Sequence, residues 1–448
     1  MVLEMASSIL AKRINSLPGF VKLLAPIAGA GVVRSWAGGY VCQEDRLLHD
    51  KIFILVGGFS GPGLALFRQL ALRGCQVIAL HPTPSDPSIF QLMLLLRETS
   101  RNERLYAEEC DVCSISSIRA FVKRWDRDAR KGMVGDLKAR IEALVFCDGE
   151  GSGLEGVGIG LPQQLIPTLD GTPLDLHHAS LLLSRHALIQ LLLPNLLSSS
   201  QESPVRIILQ LSPFYAASPL LDPANLNLDF QSPAPNSYHP YTPWIAEGQA
   251  SLASLSLLRE FQERVDTTRA AAASNESATD GSAGIVCLAA CSGFTRSYFR
   301  KILRADWNHE SFSWVGFVAW LVILPVLWLF AKNAEEGAQD LLLAVLGSGA
   351  KAAVPMVGGE EDLNAVEEKA KEQEGKKVKR DEGEPKVRLR AGCLYRDGKE
   401  VRVAQLEEAG PKLGPALWAI ESKRVERLVA LAEAGEKEAS AKKSEKEE

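Results

Sequence analysis

The feature that most constrains this chain is a repeated alternation. "KIFILVGG", from Lys51, is a short apolar run ending in glycines, as a buried parallel strand does. "GLALFRQLALRG" follows with helical spacing and stops at Gly74. "CQVIAL", "RLYAEECDV", "IEALVFCDG", "VRIILQLS" and "AGIVCLAACSG" repeat the strand signal further on. Between them lie helical stretches, among them "SISSIRAFVKRWDRDAR", "HHASLLLSRHALIQLLLPNLL" and "EGQASLASLSLLREFQERV". Alternation of this kind predicts an α/β fold: a doubly wound parallel sheet, Rossmann-like, with helices on both faces.

The 448 residues suffice for one large domain or two ordinary ones. With 46% apolar and 23% charged residues the composition suits a folded core. A net charge of −5 gives no global attraction to nucleic acid, so no nucleic-acid partner is expected. Eight cysteines in so long a chain do not make a disulfide framework, which suggests a reducing compartment. Cys110 and Cys113 form a lone C-x-x-C without a second ligand pair, so they read as two thiols and no metal site is expected. Residues 1–50 read as an amphipathic extension, with Lys12, Arg13, Lys22 and Arg34 among apolar residues. That pattern suits an interfacial helix, a mitochondrial presequence or a poorly ordered leader. Residues 51–347 make the main domain, and 348–388 a charged, disordered insertion, rich in lysine and glutamate from Glu360 to Val387. Residues 389–435 add a last strand and helix, 436–448 read as a disordered tail, and Ala271–Gly284 as a mobile polar loop.

Gly57, Gly61 and Gly63 stand between the first strand and the first helix of the alternation. Glycines there permit a tight turn and close approach of backbone to a pyrophosphate, which the helix N-terminus then attracts. The other reading of the turn is close strand–helix packing with no ligand.

Several passages in order resemble the short-chain dehydrogenase/reductase superfamily, and more narrowly its membrane-associated, retinol-dehydrogenase-like branch. "GGFSGPG" resembles the family's T-G-x-x-x-G-I-G turn and "CDVCSISSIRAF" its D-L-x-S-x-x-S-I-R-x-F passage. "RIILQLS" resembles R-I-V-x-V-S-S, "CSGFTRS" the P-G-x-V-x-T loop, and "NAEEGAQDLLLAVL" the late P-E-E-G-A-Q helix. "GCLYRD" and "ALWAIESKRVERLV" fit the branch's ending. The resemblance implies an NADP or NAD cradle at Gly57, Ser60, Gly61, Gly63 and Gly149, with Asp111 at the adenine. It places Ser292, Gly293 and Thr295 beside the nicotinamide, and Ser212 where the family's serine bonds the substrate carbonyl. It also implies an endoplasmic-reticulum or lipid-droplet membrane, with mitochondria as the alternative.

On the helix where the resemblance places it, after the fifth strand, the family's Y-x-x-x-K motif fails to appear. Its tyrosine moves the proton and its lysine favours the phenolate and holds the nicotinamide ribose. Alignment puts Glu247 at the tyrosine and Ser251 at the lysine, and neither reproduces the role. The family's N-N-A-G reads "FCDG", Phe146 to Gly149, the relay asparagine becomes Leu181, and the threonine opening the glycine turn becomes Val56. "ALHPTP" after the second strand has neither the acid of NAD enzymes nor the arginine of NADP enzymes. His81 there is either a partial clamp for a 2′-phosphate or a plain turn histidine. Tyr215, Tyr238 and Tyr241 are candidates for a displaced proton donor. The expectation is therefore a cradle with a degenerate site, acting as a scaffold, sensor or subunit with a protein partner. The alternatives are an active NAD(P)H-dependent oxidoreductase on a lipid-like carbonyl or alcohol, and a structural fold that has lost its cofactor.

Ser311–Ala331, "SFSWVGFVAWLVILPVLWLFA", is uncharged, carries tryptophans near its ends, and at ~1.5 Å per residue is long enough to cross a bilayer. If "GCLYRD" joins the same sheet, a single crossing is topologically forbidden. A re-entrant or in-plane hairpin kinked at Pro325 is expected, dipping into lipid and admitting an apolar ligand. A buried core helix and a true span remain the other readings of this stretch.

Overall fold

The computed structural model describes residues 29–131, 133–134, 137–138, 140–150, 152, 164–200, 204–219, 221, 242–275, 284–306, 312–347 and 389–447. The charged insertion and most of the polar loop after residue 271 lie outside the described residues.

The main sheet has strands β1 (Ile52–Val56), β2 (Gln76–His81), β3 (Leu105–Glu109), β4 (Ile141–Phe146), β5 (Val205–Leu211), β6 (Ile285–Cys291), β7 (Leu394–Arg396) and β8 (Lys399–Val401). Their spatial order is 8-7-6-5-4-1-2-3, with parallel pairing throughout except for the β7–β8 hairpin. This is the doubly wound α/β architecture that the alternation predicts. β1 has β2 on one side and β4 on the other, in registers Ile52↔Gln76 and Val56↔Phe146. The connections thus diverge at β1, and a crevice opens beyond its C-terminal end.

Alternate residues of β1 serve opposite faces. Ile52, Ile54 and Val56 meet one helical layer, Phe53 and Leu55 the other. The first layer contains α4 (Ile115–Arg130), α5 (His178–Ser199), α6 (Pro243–Asn275) and the terminal helix α12 (Leu413–Glu447). The second contains α2 (Gly61–Leu72), α3 (Pro87–Ser100) and α10 (Gln339–Leu346). All strands but the edges are buried on both faces, which is why they read as continuous apolar runs.

Two expected boundaries are corrected. The folded domain begins before residue 51. Residues 29–37 form helix α1, and the segment after it docks on the domain. Arg34 pairs with Glu336, Cys42 N donates to Gln339 Oε1 at 2.9 Å, Arg46 meets Glu142 at 2.6 Å, and Leu48 is fully buried. At the other end α12 runs to Glu447, so the stretch from Glu436 is helical and not a disordered tail. Composition hides this because its anchors are distant: Glu436 pairs with Arg119 and Lys123 of α4.

The apolar stretch forms α8 (Trp314–Phe330), which follows the short α7 (Arg296–Ile302). Pro325 lies inside the helix without ending it. Ser313 N donates to Arg304 O at 2.9 Å, Thr295 and Lys332 form an isolated parallel bridge, and Arg296 bonds Trp328 O. Both ends of α8 are thereby fastened beside the end of β6. The buried-core reading of this segment fails. Val315 is 81% exposed and Val322 71%, and Leu327 alone on the helix is buried.

Candidate functional site

The site assembles where β1, β4, β5 and β6 end. Gly57 has φ +70°, which favours glycine, and a Cβ there would lie 2.2 Å from Cys147 O. A Cβ on Gly63 would come within 2.3 Å of Gly57 O, and one on Gly149 within 2.2 Å of the same atom. The turn after β1 and the loop after β4 therefore touch backbone to backbone. Ser60 stands at the N-cap of α2 but does not cap it, because its hydroxyl accepts from Glu150 N at 2.8 Å. No acid occupies the first turn of α2. An uncapped helix start with close backbone approach suits a pyrophosphate.

The other predicted contacts fall on the same rim. Gly293 has φ +70°, and Thr295 caps α7 by accepting from Tyr298 N at 3.3 Å. Asp111, just after β3, accepts from Cys113 N at 2.9 Å and so folds its own turn. His81 is buried, accepts from Thr83 N at 3.1 Å, and lies edge-on to Phe59 at 5.1 Å. That geometry is a turn histidine, not an outward clamp.

Ser212, Glu247 and Ser251 converge from β5 and α6. What joins Ser212 to Glu247 is a residue that sequence reasoning missed, Tyr298 of α7. Its hydroxyl donates to Glu247 Oε2 at 2.6 Å and lies 3.1 Å from Ser212 Oγ. Burial and then the Glu247 charge hold this phenol well above the usual tyrosine range, so it stays neutral. Ser251, one turn beyond Glu247, is 1% exposed, and its hydroxyl has no partner among the described residues. Ser292 Oγ, at the end of β6, is equally orphaned. Such hydroxyls normally find partners, and a polar ligand in the crevice would supply them. The residues present therefore fit a nicotinamide nucleotide.

Asp148 was missed as well. It pairs with Arg185 of α5 at 2.7 Å, and Arg185 also donates to Gln210 O. Burial, opposed by the Arg185 charge and reinforced by the negative charge of Glu247, pushes the Asp148 carboxyl up to about 6. Of the tyrosines named as rescuers, Tyr215 is buried and reaches no part of this chain of hydroxyls. Tyr238 and Tyr241 lie outside the described residues. One signal pointed to Tyr298: it lies three residues past Thr295, in "TRSYFRK", with Lys301 one turn on. A search for Y-x-x-x-K skips that spacing.

No family model matches the chain. An uncharacterized oxidoreductase of Schizosaccharomyces pombe is 25% identical over 332 residues, covering 73% of this chain and 78% of that protein. An uncharacterized oxidoreductase of Saccharomyces cerevisiae is 23% identical over 330 residues, covering 73% and 75%. A solved short-chain dehydrogenase/reductase of Burkholderia phymatum, in complex with NAD, is 13% identical with TM-score 0.39, covering 67% and 87%. The two oxidoreductases align along most of a chain whose sheet order and glycine turn are those described above. Along about three quarters of its length the chain is thus similar to two proteins described as oxidoreductases. The helix that carries Leu181 in place of the relay asparagine opens with a π-helical turn, His178–Leu183, and Leu181 O accepts from Ser254.

Proposed function

We propose that this protein is a membrane-associated oxidoreductase that holds NAD or NADP in the glycine cradle and acts on an apolar alcohol or carbonyl. The observation that carries the nucleotide part is the uncapped start of α2 above the Gly57–Gly149 contact, together with the buried, orphaned hydroxyls of Ser251 and Ser292. When bound, the nucleotide would supply hydride chemistry. The chain would grip its pyrophosphate with the turn and α2, and its nicotinamide end with Ser292, Gly293 and Thr295. The membrane part is supported by α8, a bare apolar helix fastened beside α7, the helix that carries Tyr298. At ~1.5 Å per residue α8 is about 25 Å long, shorter than a bilayer core of about 30 Å, and fastened at both ends. An in-plane placement fits those facts.

A second reading, a nucleotide-binding protein without turnover, is favoured by Glu247 and Ser251 at the family's tyrosine and lysine positions. Both readings require the nucleotide. NADH or NADPH at about 100 times its dissociation constant should raise stability by roughly 2.7 kcal/mol, seen as a higher unfolding temperature. Absence of any shift with either nucleotide rejects both readings.

A further inference from the structure

We propose, resting on the nucleotide-binding reading above, that Tyr298 and Glu247 form a proton relay that replaces the missing tyrosine–lysine pair and serves alcohol oxidation. Three elements bring the groups together: Ser212 from the end of β5, Glu247 from α6 and Tyr298 from α7. The Tyr298 proton is already committed to Glu247 Oε2 at 2.6 Å, while its oxygen meets Ser212 Oγ at 3.1 Å. A phenol so arranged can take a proton on one side as it gives one up on the other. It need not become a phenolate, and its burial beside Glu247 disfavours that form. The base is the carboxylate. A lysine at position 251 would neutralise that base, whereas the neutral Ser251 leaves it intact.

The substrate O–H bond breaks and its proton passes to the Tyr298 oxygen. The original Tyr298 proton passes to Glu247. The carbinol C–H bond breaks, and its hydride goes to an oxidised nicotinamide nucleotide. The products are a carbonyl, a reduced nucleotide and a protonated Glu247, which then releases its proton to solvent. Asp148, Arg185 and Lys301 are the other charged groups that bear on this site.

The test uses the full chain in detergent micelles, with Tyr298→Phe and Glu247→Gln. Nucleotide affinity, measured first, is expected to be unchanged in both variants. A wild type that binds no nucleotide would sink the function proposed above, and this relay with it. With 2-decanol as the probe alcohol and NAD⁺ or NADP⁺, each variant should lose about 100-fold or more in kcat with KM little altered. A second readout does not depend on turnover. With ¹³C-labelled tyrosine, the Cζ signal lost in Tyr298→Phe should resist ionisation past the ordinary phenol value of about 10 in the wild type. In Glu247→Gln the same signal should titrate at lower pH. The relay is overturned by a Tyr298→Phe variant of wild-type activity, by a Tyr298 signal indifferent to Glu247→Gln, or by a wild type that binds nucleotide yet oxidises no 2-decanol. The last result would leave the nucleotide-binding reading standing.

Discussion

At Gly149 a methyl group would sit 2.2 Å from Gly57 O and 2.6 Å from Ser60 O, both backbone atoms that no rotamer change can move aside. Gly149→Ala must therefore push the β4 loop away from the cradle. It should cost about 1–3 kcal/mol of stability and weaken nucleotide binding at least tenfold, read by thermal unfolding and by titration. Gly61 is different: its nearest neighbour would be Ser297 Oγ at 3.4 Å, and its cost lies in φ +56°. Gly61→Ala should lose about 1–2 kcal/mol from conformation alone. These glycines were readable in the sequence because a strand–glycine–helix passage has few physical explanations. Tyr298 was not, since its importance depends on α7 folding back over the end of β5, a relation no local pattern encodes. Asp148 stayed hidden for the same reason: its meaning comes from Arg185, which lies on another element.

Helix α12 shows how an element is held. Leu417, Val425, Leu428 and Ala432 make its buried stripe, and Glu421 sits within that stripe at 0% exposure. Glu421 bonds His178 at 3.0 Å and Arg424 at 2.6 Å, while His186 meets Ser422 at 3.1 Å and lies edge-on to Trp418. Burial pushes the His186 imidazole down to about 4, with the Glu421 charge opposing. Between that value and the ordinary one near 6.5 the unfolded chain binds more protons than the folded one. The stability involved is thus complete above about pH 6.5 and is lost as pH falls toward 4, by up to about 3 kcal/mol. His186→Gln should flatten this loss, seen by comparing unfolding temperatures across that range. For α8 the expected outcome concerns lipid. Val318→Asp with Val322→Asp, at positions 56% and 71% exposed, should abolish flotation with phospholipid vesicles and leave nucleotide binding intact. The apolar character of α8 was evident from composition. That it lies bare, and is not a core helix, required the sheet to be assembled around it.

On the scale of the whole molecule, Gly347 and Leu389, the described residues that flank positions 348–388, are in contact. A Cβ on Gly347 would lie 2.7 Å from Leu389 Cδ1. Arg206 of β5 clamps the exit by donating to Gly347 O at 2.6 Å. Ends this close need little chain to join them, and loop closure costs little for extra length. Replacing residues 348–388 with a short glycine–serine linker should leave the unfolding temperature and nucleotide affinity unchanged. A large loss in either would give the insertion a structural part. The alternation foretold the layered sheet because each inner strand is buried on both faces, whereas the domain's true limits depended on distant pairs such as Arg34–Glu336 and Arg119–Glu436. The double fastening of α8 has one more consequence. A helix tied at both ends cannot swing like a tether, so on the proposed membrane surface it fixes the height of the crevice above the lipid. Such a protein would choose among greasy molecules by depth, taking those whose oxygen rides at the headgroup level and passing over those that keep it among the tails.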